Sequence, residues 1–145
     1  MIRLFVSDLD GTLLNTLEDL ADGVNAVMRA NAYPERTLDE VRRFVGNGIR
    51  RLMEQAVPEG VCGEVFERVF EEFRTYYTEH CQIKTRAYDG VMELLAVLKE
   101  KGYAMAIVSN KNHAAVCELN EIYFKEDIQV AIGQKDGIRK KPAPD

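Results

Sequence analysis

Asp8-Leu9-Asp10-Gly11-Thr12-Leu13-Leu14 constrains this chain more than any other stretch. It follows a short apolar run, Ile2 to Val6, whose only charge is Arg3. Two carboxylates therefore stand at the end of a predicted buried strand. Open α/β sheets bind ligands at the C-terminal ends of their strands. Acidic groups are seldom buried without a partner, so a pair here points to a cation, a proton transfer or a nucleophile. The plainer alternative is a polar strand end leading into a turn at Gly11.

The remaining periodicity divides the chain in three. Leu17, Leu20, Ala21, Val24, Val27 and Met28 recur at helical spacing. Thr16 with Asp19, and Thr37 with Glu40, read as capping boxes. Further helices are expected from about Ile49 to Val57 and from Gly63 to His80, with Val65, Val69, Phe73 and Tyr76 or Tyr77 on one side. The stretch 16–82 thus has helical signals and no strand signal. After it the pattern becomes α/β. Gly90 to Lys101 reads as a helix with Leu94, Leu95 and Leu98 inward and Gly102 as its stop. Tyr103 to Val108 is an apolar strand ending in Ser109-Asn110. Asn112 can cap a helix reaching about Leu119, and Gln129 to Ile132 is a further short strand. The expected architecture is α/β: a discontinuous core of residues 1–15 and 83–145, interrupted by an all-helical insertion over 16–82.

Composition narrows the function classes. A net charge of −5 over 145 residues argues against a nucleic-acid footprint, which would be basic. No run is long enough to cross a membrane. The three cysteines, Cys62, Cys81 and Cys117, have neither metal-ligand spacing nor the look of a disulfide framework. A reducing, cytoplasmic setting is expected. His80 and His113 are lone residues expected at the surface.

The D-x-D-G-T-L segment resembles the first motif of the haloacid dehalogenase-like phosphatases. Ser109-Asn110, after Ala104-Met105-Ala106-Ile107-Val108, resembles the second, in which a hydroxyl residue ends a strand. Lys141-Pro142-Ala143-Pro144-Asp145 resembles the third, with its lysine before a proline. Lys140 is a competing assignment, but Lys141 directly precedes Pro142. Val45-Gly46-Asn47-Gly48-Ile49-Arg50-Arg51-Leu52, followed by Glu54-Gln55-Ala56, is similar to the cap segment of phosphoglycolate phosphatases. The resemblance covers nearly the whole chain, with the three core motifs in order.

The resemblance implies a Rossmann-like parallel sheet with an inserted helical cap. It implies that Asp8 attacks phosphorus and that Asp10 serves as acid and then base. Lys141 would neutralise the nucleophile and the phosphate, for which a point charge is adequate. Gly11, Thr12, Ser109 and Asn110 would contact the phosphate, whose transition state spreads charge over three oxygens. Mg²⁺ is the implied cofactor, bound by the Asp8 carboxylate and the Asp10 backbone carbonyl. Arg50 could pair with a substrate carboxylate, which its planar fork suits; read from the residues alone, it is a solvated arginine at a helix corner. The expected partner is a small phosphorylated metabolite, with no nucleic acid and no membrane.

The family pattern continues to a fourth motif, an acidic pair on another strand beside strand one. The sequence stops before it, so it reads as truncated at the C-terminus, with a sheet edge open to self-association. Two alternatives to a phosphoglycolate phosphatase-like hydrolase stand at this point. One is a phosphosugar mutase of the same superfamily. The other is a non-catalytic fragment that binds a partner through the open edge.

Overall fold

The apolar run ahead of Asp8 forms strand β1 (Leu4–Ser7) in the computed structural model, which describes residues 1–144. There follow β2 (Leu14–Asn15), α1 (Leu17–Ala30), α2 (Leu38–Phe44), α3 (Ile49–Ala56), α4 (Gly63–His80), β3 (Arg86–Ala87), α5 (Val91–Glu100), β4 (Ala104–Asn112), α6 (His113–Tyr123) and β5 (Val130–Gln134). The chain divides into two compact units: Met1–Asn15 with the segment from Ala87 onward, and Thr16–Arg86. Residues 83–86, which the sequence assigns to the core, thus lie in the helical unit.

The first unit is a parallel sheet of order β1-β4-β5, with Leu4 opposite Ala104 and Ala106 opposite Val130. Parallel neighbours need crossover connections, and helices supply them. Along β4 the residues alternate in burial: Met105, Ile107, Ser109 and Lys111 are buried, whereas Ala104, Ala106, Val108 and Asn110 are not. The buried set continues a core of Leu9, Leu13, Leu14, Leu95, Val116, Leu119, Phe124 and Ile128. Across the opposite face Leu4, Val6, Val130 and Ile132 are about half exposed. β1 is an edge strand and pairs with β4 alone among the described residues.

Helix ends in this unit follow local chemistry. Gly102, at φ +75°, accepts the left-handed turn after α5 that a side chain would resist. Asn112 caps α6, its Oδ1 accepting from Ala114 N at 3.0 Å and Ala115 N at 3.4 Å. Leu94 departs from expectation. It is exposed, and Leu95 and Val91 are the buried residues of α5. The apolar stripe is wider than one face, so spacing alone does not select its inward members.

The second unit is all helical. Val24, Met28, Val41, Met53, Val69 and Phe73 are fully buried in a core separate from that of the sheet. α4 contributes Phe66, Val69, Phe73 and Tyr77 at spacings of three and four, and Val65 turns outward. Gly23 lets α4 approach α1: a Cβ there would lie 3.1 Å from the Phe73 ring. The Thr37 capping box forms in full, with Glu40 N donating to Thr37 Oγ1 and Thr37 N to the Glu40 carboxylate. The box predicted at Thr16 does not form. Its acidic member, Asp19, is buried and accepts instead from Lys84 N, Thr85 N and Thr85 Oγ1, at 2.7 to 3.0 Å. The two-residue strands β2 and β3, which pair with each other, lack the length to leave a sequence signal.

Candidate active site

The loop after β1 is a tight turn hung on one carbonyl. Leu9 O accepts from Thr12 N, Leu13 N and Leu14 N at 3.0 to 3.2 Å, and Gly11 N donates to Leu14 O at 2.9 Å. Gly11 sits at φ +75°, where a Cβ would be strained. Leu9, Leu13 and Leu14 are buried and anchor the turn in the core. The alternation that buries Leu9 leaves the residues on either side of it, Asp8 and Asp10, less covered. Leu9 N closes back on Asp8 Oδ1 at 2.8 Å. Thr12 is exposed on the turn.

Three segments meet at this strand end: the turn after β1, the end of β4 and the stretch around Lys141. Lys141 Nζ lies 3.1 Å from Asp8 Oδ1 and donates to Val108 O at 2.6 Å. It is Lys141, rather than Lys140, whose ammonium meets Asp8. The backbone around it is fixed by Asn110, whose Oδ1 accepts from Lys141 N at 2.8 Å and whose Nδ2 donates to Lys141 O at 3.4 Å. Ala143 N donates to Lys140 O at 3.0 Å, closing a turn about Lys141-Pro142. Ser109 is buried, and its Oγ accepts from Lys111 N at 3.1 Å. Asp8, Asp10, Gly11, Thr12, Ser109, Asn110 and Lys141 therefore all lie in one unit at the C-terminal ends of adjacent strands. An open cleft of about 440 Å³ borders Ser109, Asn110 and Lys141, lined in part also by Gly133 and Arg139; Asp8, Asp10, Gly11 and Thr12 are not part of its lining.

One site residue escapes the motif reading. Lys111 Nζ lies 2.8 Å from Asp10 Oδ1, and the two side chains are 5% and 16% exposed. The signal for it emerges only once β4 is seen to run on to Asn112. Met105, Ile107, Ser109 and Lys111 share a strand face, and lysine is almost never buried without a counter-charge. Gly133 on β5 packs against the same backbone: a Cβ there would fall 2.5 Å from Lys111 O and 2.7 Å from His113 Cα.

The donor chemistry suits a hard cation. Mg²⁺ prefers oxygen, commonly binds through one or two carboxylates plus substrate phosphate, and retains water. The Asp8 carboxylate and the Asp10 carbonyl are oxygen donors of that kind. No group of three or more His, Cys, Asp or Glu able to hold a metal occurs among the described residues.

Arg50 belongs to the helical unit. Gly46 and Gly48, at φ +122° and +86°, shape the corner that precedes it. Its guanidinium ion-pairs with Glu67 and, at 3.6 Å, with Glu54, and it lies 5.3 Å from the ring centroids of both Phe66 and Phe70. The hydrogen bond from Arg50 is the main cause that holds the Glu67 carboxyl below its ordinary range, and Arg50 is raised in return. The two histidines have local roles. His80 stacks on Tyr76, and His113 Nδ1 accepts from Gly133 N at 3.1 Å. No helix is long and apolar enough to cross a membrane among the described residues.

Comparison with known proteins bears on the fold and the family. The phosphoglycolate phosphatase of Psychrobacter arcticus is 33% identical over 150 residues, covering 98% of this chain and 65% of that protein. The N-acetylmuramic acid 6-phosphate phosphatase of Pseudomonas aeruginosa is 30% identical, covering 99% and 60%. The crystal structure of a predicted phosphoglycolate phosphatase from Haemophilus somnus superposes with a TM-score of 0.90 at 29% identity, covering 99% of this chain and 67% of that one. The chain thus spans less than two thirds of the length of these two curated relatives. Residues 5–145 match the family described as haloacid dehalogenase-like hydrolase, and the chain belongs to that family.

Proposed function

We propose that the protein hydrolyses small phosphomonoesters through an aspartyl-phosphate, with Mg²⁺ as cofactor. The contact of Lys141 Nζ with Asp8 Oδ1 at 3.1 Å, at the C-terminal end of a parallel strand, is the observation that carries this reading. A carboxylate is a weak nucleophile towards a phosphate dianion because the two repel. A lysine beside it lowers that repulsion as a point charge.

The reaction runs in two displacements. An Asp8 carboxylate oxygen attacks phosphorus in line, and the bond from phosphorus to the leaving oxygen breaks. Asp10 gives its proton to the departing alkoxide. Water then attacks the phosphoaspartate, Asp10 takes the proton, and inorganic phosphate leaves with Asp8 restored as carboxylate. Lys141 and the Ser109 hydroxyl stabilise charge on the phosphoryl oxygens. Bound Mg²⁺, held by the Asp8 carboxylate and the Asp10 carbonyl, would supply further charge neutralisation.

The names of the relatives support a narrower substrate class. Phosphoglycolate and N-acetylmuramic acid 6-phosphate are both phosphomonoesters that carry a carboxylate. We extend that class to this chain, with Arg50 as the candidate carboxylate partner. The test is release of inorganic phosphate from phosphoglycolate in Mg²⁺, together with chemical trapping of a phosphorylated aspartate. Turnover without any trappable phosphoenzyme, or full turnover in Asp8→Asn, would count against the mechanism.

A further inference from the structure

We propose that Lys111 is the positioning residue for Asp10, an inference that rests on the phosphatase reading and extends it to a residue outside the three motifs. Asp10 has to present one oxygen to the leaving group in the first displacement and to water in the second. A carboxyl group on a flexible χ2 offers two equivalent oxygens in a broad range of orientations. Lys111 removes that freedom. Its Nζ holds Asp10 Oδ1 at 2.8 Å, and both side chains are largely removed from solvent. The pair is therefore screened little by water or salt. With Oδ1 committed to the ammonium, Oδ2 is the oxygen that carries the proton to the leaving alkoxide and later accepts one from water.

The anchoring of Lys111 fits that task. It stands on β4, in the middle of the sheet, on the same face as Ile107 and Ser109. Its backbone N donates to Ser109 Oγ. Its carbonyl is hemmed in by Gly133, where even a methyl group would not fit. Asp10 sits on the turn after β1, whose backbone bonds and buried leucines fix the main chain but not the carboxyl group, which Lys111 holds from the neighbouring strand. Lys141 and Lys111 thus divide the work: one faces the nucleophile, the other the proton carrier.

The test is a double-mutant cycle on the full chain, using Asp10→Asn and Lys111→Met. Rates of phosphoenzyme formation are measured with an alkyl phosphate, whose leaving oxygen needs a proton, and with a nitrophenyl phosphate, whose leaving oxygen does not. Lys111→Met should slow the alkyl substrate by about 10²-fold, the scale of a misplaced reacting group, and the aryl substrate much less. Combined with Asp10→Asn it should add no further loss, because it acts only through Asp10. Should Lys111→Met fail to fold, Lys111→Gln keeps a polar group but lacks the reach to Asp10 and should give the same signature. Equal losses for both substrates, or losses that multiply in the double variant, would overturn the proposal and leave the phosphatase reading standing. A wild-type chain that turns over neither ester in Mg²⁺ would overturn the reading and the proposal together.

Discussion

Asn110 grips Lys141 by its backbone, Oδ1 accepting from Lys141 N at 2.8 Å and Nδ2 donating to Lys141 O at 3.4 Å, while the Lys141 side chain reaches Val108 O and Asp8. One amide side chain thereby satisfies both backbone polar groups of the residue whose half-buried ammonium faces Asp8. Such a pair fixes position without consuming the charge. Sequence reasoning assigns Asn110 to the phosphate; the geometry gives its side chain a second role, as the clamp on a loop.

Asn110→Ala should therefore lower kcat more than it raises KM. Freed of the clamp, the Lys141 loop shifts, and a displacement near 1 Å can cost about 10²-fold in rate. Steady-state kinetics with phosphoglycolate, together with inhibition by inorganic phosphate, separate the two roles. If KM and the phosphate inhibition constant rise while kcat holds, Asn110 binds phosphate and the clamp is incidental.

Asp8→Asn should abolish turnover with the fold retained. The amide is close in shape to the carboxylate, can still accept from Leu9 N, and is a far poorer nucleophile. The loss of the Lys141 pair costs little stability, because Asp8 and Lys141 are 46% and 35% exposed and such pairs contribute modestly. Circular dichroism and thermal unfolding close to wild type, with no phosphoenzyme, is the expected result. Turnover within about tenfold of wild type, a loss of only ~1.4 kcal/mol in barrier height, would remove Asp8 from the nucleophile's role.

Much of this site was legible because strands announce their ends. The apolar run before Asp8 and the run before Ser109 fix two strand termini, and a parallel sheet then brings both to one edge. Lys141 followed from its proline. Lys111 did not, because a lysine one residue past Ser109-Asn110 reads as a solvated loop until β4 is known to continue to Asn112. The Thr16 box failed for a related reason. Local spacing offers Asp19 to the helix start, but the long-range donors at Lys84 and Thr85 claim it, 65 and 66 residues away in sequence. Competition of that kind is tertiary and leaves no local trace.

Asp19→Ala tests that competition. The carboxylate is 2% exposed and satisfies two backbone N–H groups and one hydroxyl. Removing it leaves buried donors unpaired, which should cost about 2–3 kcal/mol. Urea unfolding should show a lower midpoint with an unchanged m-value. Asp19→Asn, which keeps one acceptor oxygen, should fall between the two. A midpoint for Asp19→Ala equal to wild type would mean that water takes over the donors, and that the carboxylate is not what ties α1 to the Lys84-Thr85 segment.

Arg50 offers the sharpest test of substrate class. Its guanidinium already holds one carboxylate, that of Glu67, and an incoming substrate carboxylate would have to compete for the same fork. Arg50→Ala should raise KM for phosphoglycolate more than for a phosphate ester lacking a carboxylate. Glu67→Gln should do the opposite, lowering KM for the carboxylated substrate by removing the competitor. The Arg50 hydrogen bond holds the Glu67 carboxyl below its ordinary value. The pair's contribution is therefore present above the usual glutamate range and fades only as pH falls through the lowered folded value. Near neutral pH Glu67 stays ionised, so the gain from Glu67→Gln should be the same at pH 6.5 and 8 on the ordinary glutamate scale of about 4.3. Steady-state KM values for both esters, in wild type and both variants at those two pH values, decide it. A uniform shift for carboxylated and plain esters would leave Arg50 as a surface residue that stacks on Phe66 and Phe70 and pairs within its own helices.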